Sequence, residues 1–219
     1  MMFKKRKILL LGAGGHCMSV LDSLITLNMF TEIGIIDKMD NKNNNSCILG
    51  IPVIGTDDDL YRLHEEGYTD AFITVGSLGD TSIRRKLYQK VKEIGFNVPN
   101  IIDNSSMISC FANLGEGCFI GKNAVINAGV IIGNCTIINT SSTIEHECNV
   151  HDFAHISSGS ILCGNVRIGA NTHVGAGSIV KQGVKIGSDT MIGMGSAVIT
   201  DIGSNAIAFG NPCREVKNE

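Results

Sequence analysis

The chain has 219 residues, 43% hydrophobic and 18% charged, with a formal net charge of −3, 26 glycines, 3 prolines, 8 cysteines and no tryptophan. That composition excludes a disordered chain, and an excess of acidic over basic residues excludes a basic surface for nucleic acid or anionic membrane. Much glycine with little proline indicates repeated tight turns rather than linkers or collagen, and the length admits one or two domains.

The basic cluster Lys4, Lys5, Arg6 and Lys7 leads into Ile8, Leu9, Leu10 and Leu11, but the apolar run stops at Gly12. It falls short of the roughly 7–15 residues of a signal-peptide core and reads as a strand entry. No apolar stretch approaches the roughly 20 residues that span a bilayer. The cysteines form no CxxC pair, and without an export signal they are expected as reduced, mostly buried thiols of a cytoplasmic protein.

In chain order the patterns predict a strand over 7–11, a helix over 16–28, a strand over 33–37, a polar loop over 40–46, a helix over 57–66, a strand over 71–75 and a helix over 80–94. This βαβαβα order implies a small, Rossmann-like parallel sheet flanked by helices. Residues 96–101, with Pro99, hand over to a different rhythm, so the expected domains are 1–100 and 101–219.

Gly12, Ala13, Gly14, Gly15 and His16 follow the first strand. Glycines between a strand end and a helix start let backbone N–H groups and the helix dipole meet a phosphate. A full dinucleotide fingerprint would place another glycine where Cys17 stands, and so small a sheet lacks a second mononucleotide half. A single nucleotide, with or without a sugar, is the expected ligand. Asp37, at the end of the second strand, can accept hydrogen bonds from ribose hydroxyls or a base. The plainer reading is a tight strand-to-helix turn.

The second half repeats. Stepping by six from Ile102 to Val198 meets 17 positions, all Ile, Leu or Val. Those types make up about a quarter of the chain, so chance gives this register with a probability on the order of 10⁻¹⁰. Four residues after many anchors stands a small or β-branched residue, as at Ala124, Thr136, Ser142, Cys148, Ser160 and Thr172, and glycine often follows the anchor directly, as at Gly133 and Gly169. The period predicts strands of roughly four or five residues joined by sharp bends, with Gly or Asn supplying the positive φ. Three sides close a triangular coil of 18 residues, and about five and a half coils stack ~4.8 Å apart.

Chemistry concentrates on histidine. His146 stands two residues after anchor Ile144, beside a bend, and its counterparts one coil away are the small Ala128 and Gly164. Imidazole titrates near neutrality and suits a general base. Glu145 and Glu147 flank it; a carboxylate accepting the Nδ1 proton would leave Nε2 free, and Glu147 is the expected partner. His155 lies 18 residues before His173, so the two should stack about 4.8 Å apart along one edge. A stacked pair supplies two ligands where a metal wants three or four, and His151 is on another phase, so no metal site is assigned. His64 falls on a polar helix face and reads as solvated, as surface histidines usually are. Cys148 occupies the inward phase and reads as a buried thiol rather than a nucleophile.

The bracketed hexapeptide pattern resembles the hexapeptide-repeat acyltransferases, which implies a left-handed parallel β-helix, a hand the period alone does not reveal. The Gly12–His16 segment with Asp37, followed by Asn139-Thr140-Ser141-Ser142 and Ile144-Glu145-His146-Glu147-Cys148, resembles the sugar-nucleotide acetyltransferases of the bacillosamine pathway and the related sialic acid O-acetyltransferases. That resemblance implies His146 as general base with Glu147 as its partner, and acetyl-CoA contacted by His155 and by backbone at Gly164, Ala176 and Met194. It also implies a UDP-sugar held by Gly12, Ala13, Gly14, Gly15, His16, Asp37 and Lys38, and a homotrimer with acetyl-CoA between neighbouring β-helices. Gly210-Asn211-Pro212 resembles the motif that ends the coil stack. Lys38 follows Asp37 where relatives often carry a second acid, and Cys213 replaces a usual alanine.

The expected reaction is direct acetyl transfer to the 4-amino group of a UDP-4-amino-4,6-dideoxy sugar, with no acyl-enzyme. Three alternatives stand beside it: a hydroxyl acetyltransferase acting on a sialic-acid-like sugar, a zinc enzyme like the gamma-class carbonic anhydrases, and a non-catalytic scaffold.

Overall fold

The structure, a computed structural model, describes residues 6–38 and 47–216. The expected polar loop at 40–46, together with Lys4 and Lys5, lies outside the described residues. Contacts divide the chain into two units, Met1–Gly76 with Ser82–Ile101, and Ser77–Thr81 with Ile102–Glu219. The expected division at 100/101 left residues 77–81 with the first unit. They cluster with the second because the Ser77 carbonyl meets His155 Nδ1 at 3.2 Å and Thr81 Oγ1 donates to Asn171 Oδ1 at 2.8 Å.

The first unit runs β1 (Lys7–Leu11), α1 (Gly15–Leu27), β2 (Glu32–Ile36), β3 (Cys47–Ile48), β4 (Ile51–Gly55), a 3₁₀ turn (Asp57–Asp59), α2 (Leu60–Glu65), β5 (Tyr68–Ile73) and α3 (Ser82–Ile94). The strand order is β3-β4-β2-β1-β5, with β4, β2, β1 and β5 parallel. Four consecutive apolar residues of β1, Ile8 to Leu11, are fully buried, as a parallel strand covered on both faces requires. The β3–β4 hairpin is an addition to the expected βαβαβα order. Its turn places Leu49 and Gly50 at positive φ, which suits the twist of a tight hairpin, and Pro52 disguised β4 because proline normally argues against a paired strand. The expected helix at 57–66 begins as a 3₁₀ turn. The Thr56 hydroxyl accepts from the Asp58 N–H while the Asp59 carboxylate accepts from the Thr56 N–H at 2.9 Å, a reciprocal cap that tightens the first turn.

The second unit is a left-handed parallel β-helix with three faces. Face A runs from Met107–Ile108 to Ala197–Val198, face B from Asn113–Leu114 to Lys185–Ile186, and face C ends at Cys213–Glu215. Partners one coil apart differ by 18 residues, as in Ile126↔Ile144 and His155↔His173. The paired strands are two residues long rather than four or five, because the turn takes the other four residues of each hexapeptide. Anchors from Ile120 to Val198 are buried, and so are the small residues four places on. Several buried hydroxyls are satisfied by carbonyls 15 residues ahead, as where Ser160 Oγ donates to Gly175 O at 2.9 Å and Thr172 Oγ1 to Gly187 O at 2.6 Å, while others, such as Ser142 on Asn139 O, use a carbonyl of their own turn. Unpaired in so dry a core, each would cost about 1–3 kcal/mol.

The glycines that directly follow anchors have a different task from the one expected. Positive φ falls three residues after the anchor, at Asn123, Ser141, Glu147, Asn165 and Asn171 among others. The glycine beside the anchor instead makes room for the next coil: a Cβ on Gly133 would lie 2.5 Å from Asp152 N, and one on Gly169 would lie 2.4 Å from Ser188 N. The stack ends in the antiparallel pair Ile207–Gly210 and Cys213–Glu215, turned through a cis Asn211–Pro212 bond, with Cys213 buried. No helix among the described residues is long and apolar enough to cross a membrane.

Candidate active site

His146 stands in the turn from face A to face B, its side chain 53% exposed. Its Nδ1 lies 3.2 Å from Glu147 Oε2. A carboxylate can only accept, so Nδ1 carries the proton and Nε2 keeps a lone pair. Glu147 reaches the ring because its backbone is left-handed, with φ 60°. The other flanking acid is engaged elsewhere: Glu145 Oε2 accepts from Asn127 Nδ2 at 3.0 Å, one coil below. One coil above, Gly164 leaves the space that the ring fills, since a Cβ there would lie 2.5 Å from both Cε1 and Nε2 of His146. The arrangement is a base with an orienting carboxylate over a cleared patch of backbone.

His155 projects from a strand of face C. Its Nδ1 lies against the Ser77 carbonyl at 3.2 Å, which makes Nδ1 the donor, and Asn139 Nδ2 approaches Nε2 at 3.4 Å. The His155 and His173 rings have centroids 4.8 Å apart, the spacing expected, but cross at 86°, edge to face, on a flat face rather than an edge. His173 is buried; Nε2 faces Ser157 Oγ at 3.3 Å while Nδ1 has no partner. Burial alone holds the His173 imidazole below its ordinary pKa, so the neutral ring is favoured. An apolar groove of about 430 Å³ is lined by Leu78, His173, Ala176, Met191 and Met194 among others.

Two of the predicted coenzyme residues, Ala176 and Met194, therefore share a groove with His173, at turns that lead from face C to face A. Gly164 does not join them; it belongs with His146, at the turn on the opposite side of face A. A single chain does not bring His146 to the groove.

In the first unit, Gly12 has φ +111°, and a Cβ on it would meet Val75 Cγ2 at 2.7 Å and Val75 N at 3.0 Å. Its carbonyl accepts from Thr74 Oγ1 at 2.6 Å. This glycine is fixed by strand packing. Gly14 and Gly15 differ: nothing lies within 4 Å of a Cβ at either, and Gly14 caps α1 with no side-chain hydrogen bond. His16 follows in the first turn of α1, with its Cβ 3.7 Å from where a Cβ on Gly76 would lie. Asp37 Oδ1 accepts from the Lys38 N–H at 2.9 Å.

Lys38 lines a cavity of about 440 Å³ with Thr56, Asp57, Asp58 and Asp59, and of these the sequence pattern places the three acids only in a helix. Burial raises the Asp57 carboxyl above its ordinary range, and Lys90 Nζ donates to the Asp57 carbonyl at 2.6 Å. The run of three acids after Thr56 was the available signal, but it doubles as a helix cap.

Cys148 is buried, its Sγ 3.1 Å from Cys163 O in the same 15-residue pattern as the core hydroxyls, and burial pushes the thiol up to about 11. It is a core thiol. His64 is not simply solvated: it packs edge-on against Phe96 at 4.7 Å. Among the described residues, no group of three His, Cys, Asp or Glu side chains converges as a metal site.

Residues 7–91 match the PglD N-terminal domain, 111–146 match the bacterial transferase hexapeptide (six repeats), and 165–200 match the hexapeptide repeat of succinyl-transferase. A histidine-to-asparagine mutant of perosamine N-acetyltransferase from Caulobacter crescentus, solved with CoA and GDP-perosamine, is 32% identical, with a TM-score of 0.90 over 97% of each chain. The acetyltransferase domain of PglB from Neisseria gonorrhoeae FA1090, solved with acetyl coenzyme A, is also 32% identical, with a TM-score of 0.90 over 97% of this chain and 100% of that one. WeeI from Acinetobacter baumannii AYE, 19% identical with a TM-score of 0.80 over 96% of this chain and 100% of that one, shares the fold. With such identity held over almost its whole length, this chain belongs to the hexapeptide-repeat sugar-nucleotide acetyltransferases that carry a PglD-type N-terminal domain, and it is an acyltransferase.

Proposed function

We propose that the protein transfers the acetyl group of acetyl-CoA to the 4-amino group of a UDP-linked 4-amino-4,6-dideoxy-N-acetyl sugar of the bacillosamine type. The observation that carries this reading is the His146 ring, its Nδ1 on Glu147 and its Nε2 over Gly164, in a chain related end to end to enzymes solved with CoA and an amino sugar or with acetyl coenzyme A. In the proposed step the amine lone pair attacks the thioester carbonyl carbon, and backbone N–H groups hold the oxyanion. His146 Nε2 removes the proton from the attacking nitrogen, Glu147 steadying the imidazolium. Collapse of the intermediate breaks the C–S bond, and the proton passes to the departing thiolate. No acyl-enzyme forms.

His155, Gly164, Ala176 and Met194 are assigned to acetyl-CoA. Gly12, Ala13, Gly14, Gly15, His16, Asp37 and Lys38 are assigned to the sugar nucleotide, whose diphosphate would meet the uncapped N-terminus of α1. The GDP-perosamine complexes of the Caulobacter crescentus enzyme favour a second carrier, GDP, at this site. A homotrimer is proposed because His146 and the Ala176–Met194 groove lie on opposite sides of face A, so a second copy is needed to join them. The outward ladder of that face supports the contact: Met107, Val125, Ile161, Ile179 and Ala197 are apolar with Thr143 among them, whereas face B presents Asn113, Asn149, Arg167 and Lys185 with the apolar Ile131 among them. The cytoplasm is proposed as the compartment, where the eight cysteines would stay reduced.

The test is thiol release from acetyl-CoA with UDP- and GDP-linked 4-amino sugars, for the native protein and for His146→Ala. Turnover that falls about 10²–10⁴-fold in the variant supports the reading, and the carrier with the higher kcat/KM is the substrate. Turnover indifferent to His146, or acetylation confined to a free nonulosonic acid, overturns it. Sedimentation giving a monomer at assay concentration would remove the trimer.

A further inference from the structure

His173 belongs to none of the assignments above, yet it is the histidine with the most constrained surroundings. It sits one coil above His155 in paired register, buried, with its ring edge to face against His155 at 4.8 Å. Its Nε2 is tethered to Ser157 Oγ at 3.3 Å, and its Nδ1 is sealed from solvent without a partner. An apolar side chain would avoid that unmet polar atom, so for stability alone histidine is a poor choice here.

What the ring does provide is a wall. His155 is held at Nδ1 by the Ser77 carbonyl at 3.2 Å and approached at Nε2 by Asn139 Nδ2 at 3.4 Å, two contacts at its nitrogens that resist a swing out of the ring plane only weakly. The crossed ring of His173 blocks that swing, and the Ser157 hydroxyl blocks His173 in turn. We propose that His173 is a positioning residue: with Ser157 as its anchor, it holds the His155 imidazole in one orientation, with Nδ1–H kept on the Ser77 carbonyl and Nε2 kept as the acceptor that meets Asn139 Nδ2 here and acetyl-CoA in the complex. The inference rests on the reading of His155 as a coenzyme contact. Burial supports it further, because a neutral His173 puts no charge beside the His155 ring.

The experiment pairs a spectroscopic readout with kinetics. Long-range ¹H–¹⁵N spectra of the histidine-labelled protein should show His155 as a single Nδ1–H tautomer. His173→Leu should shift those signals toward tautomer averaging, Ser157→Ala should shift them the same way by less, and His173→Phe, which restores a ring, should bring them back. In steady state, His173→Leu should raise KM for acetyl-CoA roughly fivefold, with kcat and KM for the sugar nucleotide within about twofold. The double variant with His155→Ala should be no worse than His155→Ala alone. Unmoved His155 signals in both His173→Leu and Ser157→Ala, or failure of phenylalanine to restore them, overturn the positioning role. Shifted signals with an unchanged KM for acetyl-CoA in both His155→Ala and His173→Leu support positioning but remove His155 as a coenzyme contact, so the two failures are told apart.

Discussion

The two units use glycine in opposite ways. In the α/β unit, glycine is irregular: Gly12 is pinned at positive φ against Val75, while Gly14 and Gly15 stand clear of every neighbour. In the β-helix it is periodic, and nearly every glycine after an anchor lies under the next coil. An exception in the periodic unit is therefore informative. Gly164, two residues after its anchor, faces an imidazole from the coil before it rather than backbone of the coil after it. A repeat makes a site legible as the place where the repeat is broken, whereas in an irregular domain a glycine shows its purpose only through the atoms around it.

Substitutions can test that contrast. Gly164→Ala should have the largest effect after loss of His146 itself: the added methyl takes the volume of the ring at 2.5 Å, and a displacement of about 1 Å in a reacting group can cost up to about a hundredfold in kcat. Thermal unfolding should be little changed, because the methyl meets the end of a side chain; a large fall in Tm with kcat preserved would break the comparison. Gly12→Ala should cost about 1–3 kcal/mol of stability from left-handed backbone strain, with the Val75 collision added. Gly14→Ala should cost under about 1 kcal/mol while raising KM for the sugar nucleotide. Calorimetry and initial rates on the pair would show whether these glycines divide as the open space suggests.

A smaller effect should follow pH. Burial holds folded His173 below its ordinary pKa of 6.5, so the unfolded chain binds the proton more readily. Its contribution to stability is intact above that value and declines as pH falls through it. The acid limb of the Tm profile should therefore be shallower in His173→Leu than in the native protein. The smallest effect should be that of Cys148→Ser. A hydroxyl can replace the thiol in its bond to Cys163 O, as serine does in neighbouring coils, so kcat should stay within about twofold and stability within about 1 kcal/mol. Abolished turnover would instead revive a covalent intermediate.

Much of the β-helix was legible because one requirement, an aliphatic residue every sixth position, is met without exception from Ile102 to Val198. That phase alone placed His146 beside small neighbours and spaced His155 from His173 correctly. It could not show that these rings cross edge to face, nor that Ala176 shares its groove with Leu78. Leu78 comes from a segment distant in sequence, and no period connects the two. The β3–β4 hairpin was missed because two-residue β3 and proline-bearing β4 are too short to show alternation. The cavity at Lys38 was missed because Thr56 and Asp59 satisfy a helix cap as well as they line a wall.

The 18-residue register carries a consequence for how such a chain tolerates change in length. Removing one full circuit shortens the column and leaves every later residue on its original side. Removing six residues is invisible to the hydrophobic pattern, since each aliphatic position is replaced by another, yet it turns everything downstream by a third of a revolution. A deletion of that size between His146 and Ala176 would fold as well as before and send the groove residues to the wrong flank.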